Sequence, residues 1–264
     1  MIQVPPKNLS KSISKSLGKY QAAIDSEPDF GRRVQLAARR FEQYNRKGNA
    51  VFASVKTALN SMCSGARRCM YCEDSAADEV EHHHPKNFYP EYTFVWPNYL
   101  YSCGPCNGQK NNRFAVFKRG LVFELTNQPG TPIAGEAVLL HPRTENPLDY
   151  LTLDIAGDTF FIQPDPSAPP RAFSRADYTI KILRLNDRDF LPVARREAYE
   201  SYKCRVEIYR RRRDEGDKAA SLESLVRAIR RMQHPTVWYE MRRQRSLIPE
   251  LTQLFAEVPE ALAW

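Results

Sequence analysis

Apolar residues in the first quarter of the chain fall at helical spacing. Val34, Leu36, Ala37, Phe41 and Tyr44 share one face, and Val51, Phe52, Val55 and Leu59 share a second. Residues 20–62 therefore read as helical, with Gly48-Asn49 as the break between two helices. Ahead of them, MIQVPPKNLSKSISKSLGKY mixes Lys with Ser and has no acid before Asp25, so residues 1–19 are expected to form a flexible basic arm. From Phe114 to Gln163 the period shortens. The runs FAVFKRG, LVFELT, EAVLLH and DTFFIQP, divided by Gly and Pro, predict short strands. A Pro-rich connector, PDPSAPP, covers residues 164–170, and the helical period then returns to the end of the chain. Ser174 is expected to cap a helix through Leu183, with Asp177 three residues on. Asn186-Asp187 punctuates, a long basic helix runs through Arg213, and further helices cover about 221–232, 236–246 and 248–258.

This pattern divides the chain into a basic, helical 1–62, a segment 63–113, a short-strand extension and connector 114–170, and a helical 171–264. The fold class is α+β. Charged residues at 27% and hydrophobic ones at 42% describe an ordinary globular protein with room for a core. No apolar run approaches the eighteen or so residues of a membrane helix, and the N-terminus has no secretory h-region, so a cytoplasmic protein is expected. The net charge of +8 is uneven: residues 1–60 hold 11 Lys/Arg against 4 Asp/Glu. A basic front end suits a polyanion.

The segment 63–113 carries the chemistry. Four of the six cysteines form two C-x-x-C pairs, Cys69-Met-Tyr-Cys72 and Cys103-Gly-Pro-Cys106. Each such turn presents two thiolates to one ion, and a closed set of four implies a structural Zn²⁺. Between the pairs stands EVEHHHPK, which holds three of the chain's five histidines. Phosphodiester hydrolysis needs a base for water and a divalent cation for the phosphate charge. His82 can be that base, Glu81 a hard oxygen ligand beside it, and Asn107 a second oxygen ligand, with Asn111 one helical turn on able to reach the same Mg²⁺ or Mn²⁺. Asn98 suits a clamp on the loop that carries His82.

The stretch CMYCEDSAADEVEHHHPKNFYPEYTFVWPNYLYSCGPCNGQKNNR resembles the HNH (His-Me finger, ββα-metal) nuclease family. The shared order is C-x-x-C, an acid-His pair with the His three residues before a proline, Asn, then C-x-x-C-N-x-x-K. The resemblance implies a zinc-stabilised ββα-metal core, with His82 as general base, Glu81 and Asn107 as catalytic-metal ligands, Asn98 as the central Asn, and Lys110 as the lysine after the last cysteine pair. Asn107 stands where the family name has its second His, and Glu81 replaces the more frequent Asp. Over about residues 60–210, "LLHPRTENPLDYLTLDIAGDTFFIQPD" and "ADYTIKILRLNDRDFLPVARREAY" add a likeness to the HNH component of Septu and retron-associated antiphage systems. That likeness implies an ABC-type ATPase partner; DNA is the favoured substrate. RNA, tRNA for example, and a non-catalytic zinc-stabilised binding module are the alternatives.

His84, Lys86, Lys110 and Arg113 are expected nucleic-acid contacts, and Tyr89 and Tyr92 are surface candidates for base stacking. Phe94 and Trp96 are expected to pack beside the zinc, and Cys63 and Cys204 to be buried thiols. His83, on the opposite strand face from His82, is expected to pack. His141 and His234, each before a proline, read as structural, and Arg210–Arg213 as a charge complement to a helix C-terminus.

Overall fold

Ser10, Asp29 and Asn49 each turn a side-chain oxygen onto the backbone N–H three residues on. Those caps start the three N-terminal helices, α1 (Lys11–Asp25), α2 (Phe30–Tyr44) and α3 (Ala50–Met62), in the computed structural model, which describes residues 1–125 and 134–264. The expected basic arm is thus an ordered part of the fold. Ile13, Leu17, Tyr20 and Ile24 recur at four- and three-residue steps, and the Lys/Ser composition concealed that stripe. The residues before α1 are tied down as well. Val4 N–H donates to the Pro142 carbonyl at 2.7 Å, and the Trp96 indole donates to that of Lys7 at 2.8 Å.

The centre is a hairpin followed by a helix. β1 (Glu79–His82) pairs antiparallel with β2 (Tyr99–Ser102), with Glu79 opposite Ser102 and His82 opposite Tyr99. α4 (Gly104–Lys110) follows at once, its Pro105 in the first turn where the missing N–H costs nothing. α1 to α3 lie over one side of this unit and build an aromatic cluster. Phe94 meets Tyr20 at 5.5 Å, Tyr44 at 5.7 Å and Phe52 at 6.2 Å between centroids. Phe94 and Trp96 therefore pack against the N-terminal segment and not beside the cysteines. Trp96 also stacks with Arg143 at 4.2 Å. Gln21 of α1 is buried, donating to the Pro90 carbonyl at 3.1 Å and accepting from Phe94 N–H at 2.8 Å. That pair pins the loop between the two strands.

The extension is sparser in strand than its pattern suggested. β3 (Ala115–Lys118) and β4 (Leu121–Glu124) form a hairpin around Arg119-Gly120, both at positive φ. The Thr126 end of the LVFELT run lies outside the described residues. EAVLLH contributes one bridge, Ala137 to Val116, and buries Val138, Leu139 and Leu140. Of DTFFIQP only β6 (Ile162–Pro164) is strand, paired with β5 (Leu151–Leu153). α5 (Pro170–Leu183) starts inside the expected Pro-rich connector, because Pro170 at the first helical position is pre-set for a helix. Ser174 is not its cap; the hydroxyl lies within the helix and donates to the Pro170 carbonyl at 2.9 Å. The long helix α6 (Phe190–Asp214) precedes α7 (Ala219–Arg230), α8 (Pro235–Arg243) and α9 (Pro249–Glu257). Its arginine tract binds the C-terminal segment: Arg210 pairs with Glu257, and Arg213 with Glu260 at 2.9 Å. Cys204 of α6 is exposed and Cys63 half-buried, so neither is the expected fully buried thiol. Among the described residues, no helix is long and apolar enough to cross a membrane.

Candidate functional site

Two polar centres flank α4. The first is the cysteine cluster. Cys69 and Cys72 lie on the turn after α3, Cys103 precedes α4, and Cys106 stands in its first turn; all four are buried. Their sulfurs lie within 4.8 Å of one another, with Cys72 and Cys103 at 3.8 Å. A tetrahedron of roughly 2.3 Å zinc–sulfur bonds sets sulfurs about 3.8 Å apart, so the four residues fit a zinc ion. Burial drives the Cys69 thiol up, while hydrogen bonds from neighbouring thiols, Cys103 first, drive Cys72 down. Two further donors point at the sulfurs: Tyr71 N–H to Cys69 and the Arg188 guanidinium to Cys106, each at 3.4 Å. Nothing in the sequence marked Arg188 for this place.

The second centre is a cavity of about 630 Å³ lined by Glu79, Glu81, His82, Lys86, Asn107 and Asn111, with Phe41 of α2 and Asn45 just after it also in the lining. The structure thus brings together the expected base, the three expected cation ligands and Lys86. Glu81 is buried, its Oε1 2.5 Å from Lys110 Nζ. Burial raises its carboxyl pKa in spite of that ammonium. Lys110 is itself fully buried and donates to the His82 carbonyl at 2.8 Å. This corrects its expected place at nucleic acid: the ammonium ties α4 to β1 from inside. Asn107 donates its Nδ2 to the Glu79 carboxylate.

His82 is held on three sides. Its Nε2 lies 2.9 Å from the Thr93 carbonyl, which also accepts from the Tyr99 hydroxyl at 2.7 Å. A carbonyl only accepts, so Nε2 carries the proton and Nδ1 keeps the lone pair. The Phe41 ring stands edge-on at 4.4 Å between centroids, and Tyr99 edge-on at 5.3 Å. Burial first, then the charge of Lys86, pushes the imidazole down to about 3. At neutral pH the ring is an uncharged proton acceptor on the cavity wall. The loop that supplies Thr93 is clamped by Asn98. Its Oδ1 accepts from His84 N–H at 2.8 Å, and its Nδ2 donates to the carbonyls of His84 at 3.1 Å and Tyr92 at 3.0 Å.

Other expected contacts lie elsewhere. His84 packs against Tyr89, Tyr92 and Phe114 and does not line the cavity, and exposed Arg113 stands outside its lining too. Tyr89 is buried, which removes it as a stacking surface; Tyr92 is 40% exposed. His83 stacks on His141 at 4.1 Å and lies 3.2 Å from the Leu139 carbonyl, a packing role. His234 is buried beside Asp74 at 3.2 Å. Sequence reasoning did not assign Glu79 or Phe41 to the site. Their signals were faint: an acid two residues before Glu81, and an aromatic on a helix face already assigned to the core.

A neutral imidazole, a buried carboxyl and two amide oxygens around one water-accessible space can deprotonate water and hold a hard cation. Comparison with known proteins places one stretch of this chain beside a defence protein. It is 38% identical over 84 residues to the Septu protein PtuB of Bacillus thuringiensis, a match that takes in 29% of this chain and 32% of that protein. The chain thus spans about a third of the length of that relative. No family model matches the chain.

Proposed function

We propose that the chain is a metal-dependent HNH endonuclease that hydrolyses phosphodiester bonds, in DNA ahead of RNA, as the nuclease effector of an antiphage defence system. The convergence of Glu81, His82 and Asn107 on one cavity, one helix away from the four cysteines, carries this reading. Similarity to the Septu protein supports the defence role, and an ATPase of the ABC type is the partner we propose.

In this reading His82 Nδ1 takes a proton from the attacking water. The Thr93 carbonyl holds Nε2–H, keeps the ring from turning, and favours the imidazolium as it forms. Glu81 and Asn107, with Asn111 near, would hold Mg²⁺ or Mn²⁺, which supplies charge stabilisation on the phosphate and the leaving oxygen. Lys110 anchors the Glu81 carboxylate through Oε1, and Lys86 offers a positive charge to the incoming phosphodiester. The cysteines would bind Zn²⁺ and hold the turn after α3 to α4 without touching substrate.

His82→Ala tests it. Cleavage of matched DNA and RNA with Mg²⁺ or Mn²⁺ should fall about 10²- to 10⁴-fold while zinc content and thermal midpoint hold. Unchanged cleavage would remove His82 as the base, and preference for the RNA substrate would reassign the sugar.

A further inference from the structure

We infer that Glu79 is a positioning residue: it orients the Asn107 amide so that Oδ1, and not the NH₂ group, faces the cation. The inference rests on the nuclease reading and adds a residue to its site. The strand register sets Glu79 opposite Ser102, so its side chain reaches the first turn of α4, where Asn107 stands. There it meets the Asn107 Nδ2 across 28 residues of chain. A carboxylate has no proton to give, so the atom facing it must be the amide nitrogen. The amide oxygen is then the atom left for the cavity that both side chains line.

The chemistry requires this choice. An asparagine can turn over with little change in shape, and one orientation points N–H dipoles at a cation while the other points a lone pair. Accepting from Nδ2 also pulls electron density toward Oδ1 and makes it a better ligand. Partners that orient a metal ligand are typically worth 10- to 100-fold in affinity. The backbone leaves room for the arrangement: a Cβ on Gly104 would sit 3.5 Å from Glu79 Oε1, in ordinary contact and without a clash.

Glu79→Ala and Glu79→Gln separate positioning from charge. Both remove one negative charge, but glutamine keeps an oxygen that accepts from Asn107 Nδ2. Mn²⁺ affinity, measured by electron paramagnetic resonance on zinc-loaded protein, should weaken about 10- to 100-fold in Glu79→Ala and recover most of that in Glu79→Gln. In cation-free protein, the Asn107 side-chain amide proton resonance should lie downfield, as for a bonded N–H, in the parent and in Glu79→Gln, and move upfield in Glu79→Ala. Equal losses in the two variants, or a Glu79→Ala affinity within twofold of the parent, overturn the inference and leave the nuclease reading standing. A parent that takes up no Mn²⁺ overturns both. Zinc content and thermal midpoint report whether each variant is folded.

Discussion

The two polar centres on either side of α4 are built from the same short stretch and solve opposite problems. The cysteine cluster is closed, with four buried sulfurs facing one another and donors from Tyr71 and Arg188 on the outside. The Glu81–His82–Asn107 centre opens on a cavity of about 630 Å³, and its groups are held from behind: Thr93 on His82, Lys110 on Glu81, Glu79 on Asn107. A closed site suits an ion whose work is to hold the chain, since every coordination position is taken by protein. An open one suits chemistry, since a water and a substrate must enter. Rigidity in the second centre comes from the partners behind each reactive group.

The most severe way to break this contrast is at the closed centre. Cys106→Ser should remove zinc, and with it most of roughly 10–16 kcal/mol of apparent binding that holds the Cys69–Cys72 turn to α4. Loss of zinc by elemental analysis together with loss of the near-ultraviolet dichroism of the aromatic cluster is the expected outcome. A variant that stays folded without zinc would show that α1 to α3 alone stabilise the core.

A smaller perturbation addresses the lining of the open centre. Phe41→Ala should cost about 3–5 kcal/mol as a large-to-small change in a packed site. It should also move the His82 titration up from about 3 toward the ordinary 6.5, because burial is the main cause of the depression. Nuclear magnetic resonance of the His82 ring checks this; a titration that does not move would place the desolvation with Tyr99 and the loop.

The last test, pH, changes no residue. His82 and His141 are pushed down to about 3 and about 4, and His83 well below its ordinary range, by burial first in each case. Unfolded imidazoles titrate near 6.5, so the folded chain refuses protons that the unfolded chain accepts as pH falls. Stability is therefore intact above 6.5 and is lost toward 4 and then 3, at roughly 1.4 kcal/mol per pH unit for each imidazole. Glu81, whose carboxyl is raised, opposes this trend in part. Urea midpoints at pH 7 and pH 5, with zinc content followed in parallel, report it. A midpoint that does not fall would show that the buried imidazoles open to water before the chain unfolds.

Legibility followed locality. α3, α6 and the last three helices stand near their expected bounds because a repeated apolar stripe survives any tertiary setting; the break at 26–29, which splits the expected helix from Tyr20 into α1 and α2, was not foreseen. The first helix was hidden, since Lys and Ser around Ile13, Leu17 and Ile24 resemble a disordered arm in composition. Pro170 was read as a connector when it begins a helix, because proline suits both roles and only its neighbours decide. In the candidate site, the C-x-x-C pairs and the Glu81-His82 dipeptide stood out by spacing. Lys110 was assigned to the surface, and only the packing of α4 on β1 put its ammonium beside Glu81.

The sequence by itself determined which donors are present and which are adjacent, because a turn of four residues or a dipeptide holds its side chains together whatever surrounds it. Thiol pairs for one ion, and an acid beside an imidazole, are of that kind. The tertiary structure decided protonation, orientation and access. Phe41 comes to His82 from helix α2, and Glu79 reaches Asn107 from 28 residues away. A proton's affinity depends on how much water remains around a group, and an amide's direction depends on what stands behind it. Both are set by segments that meet only when the chain has folded.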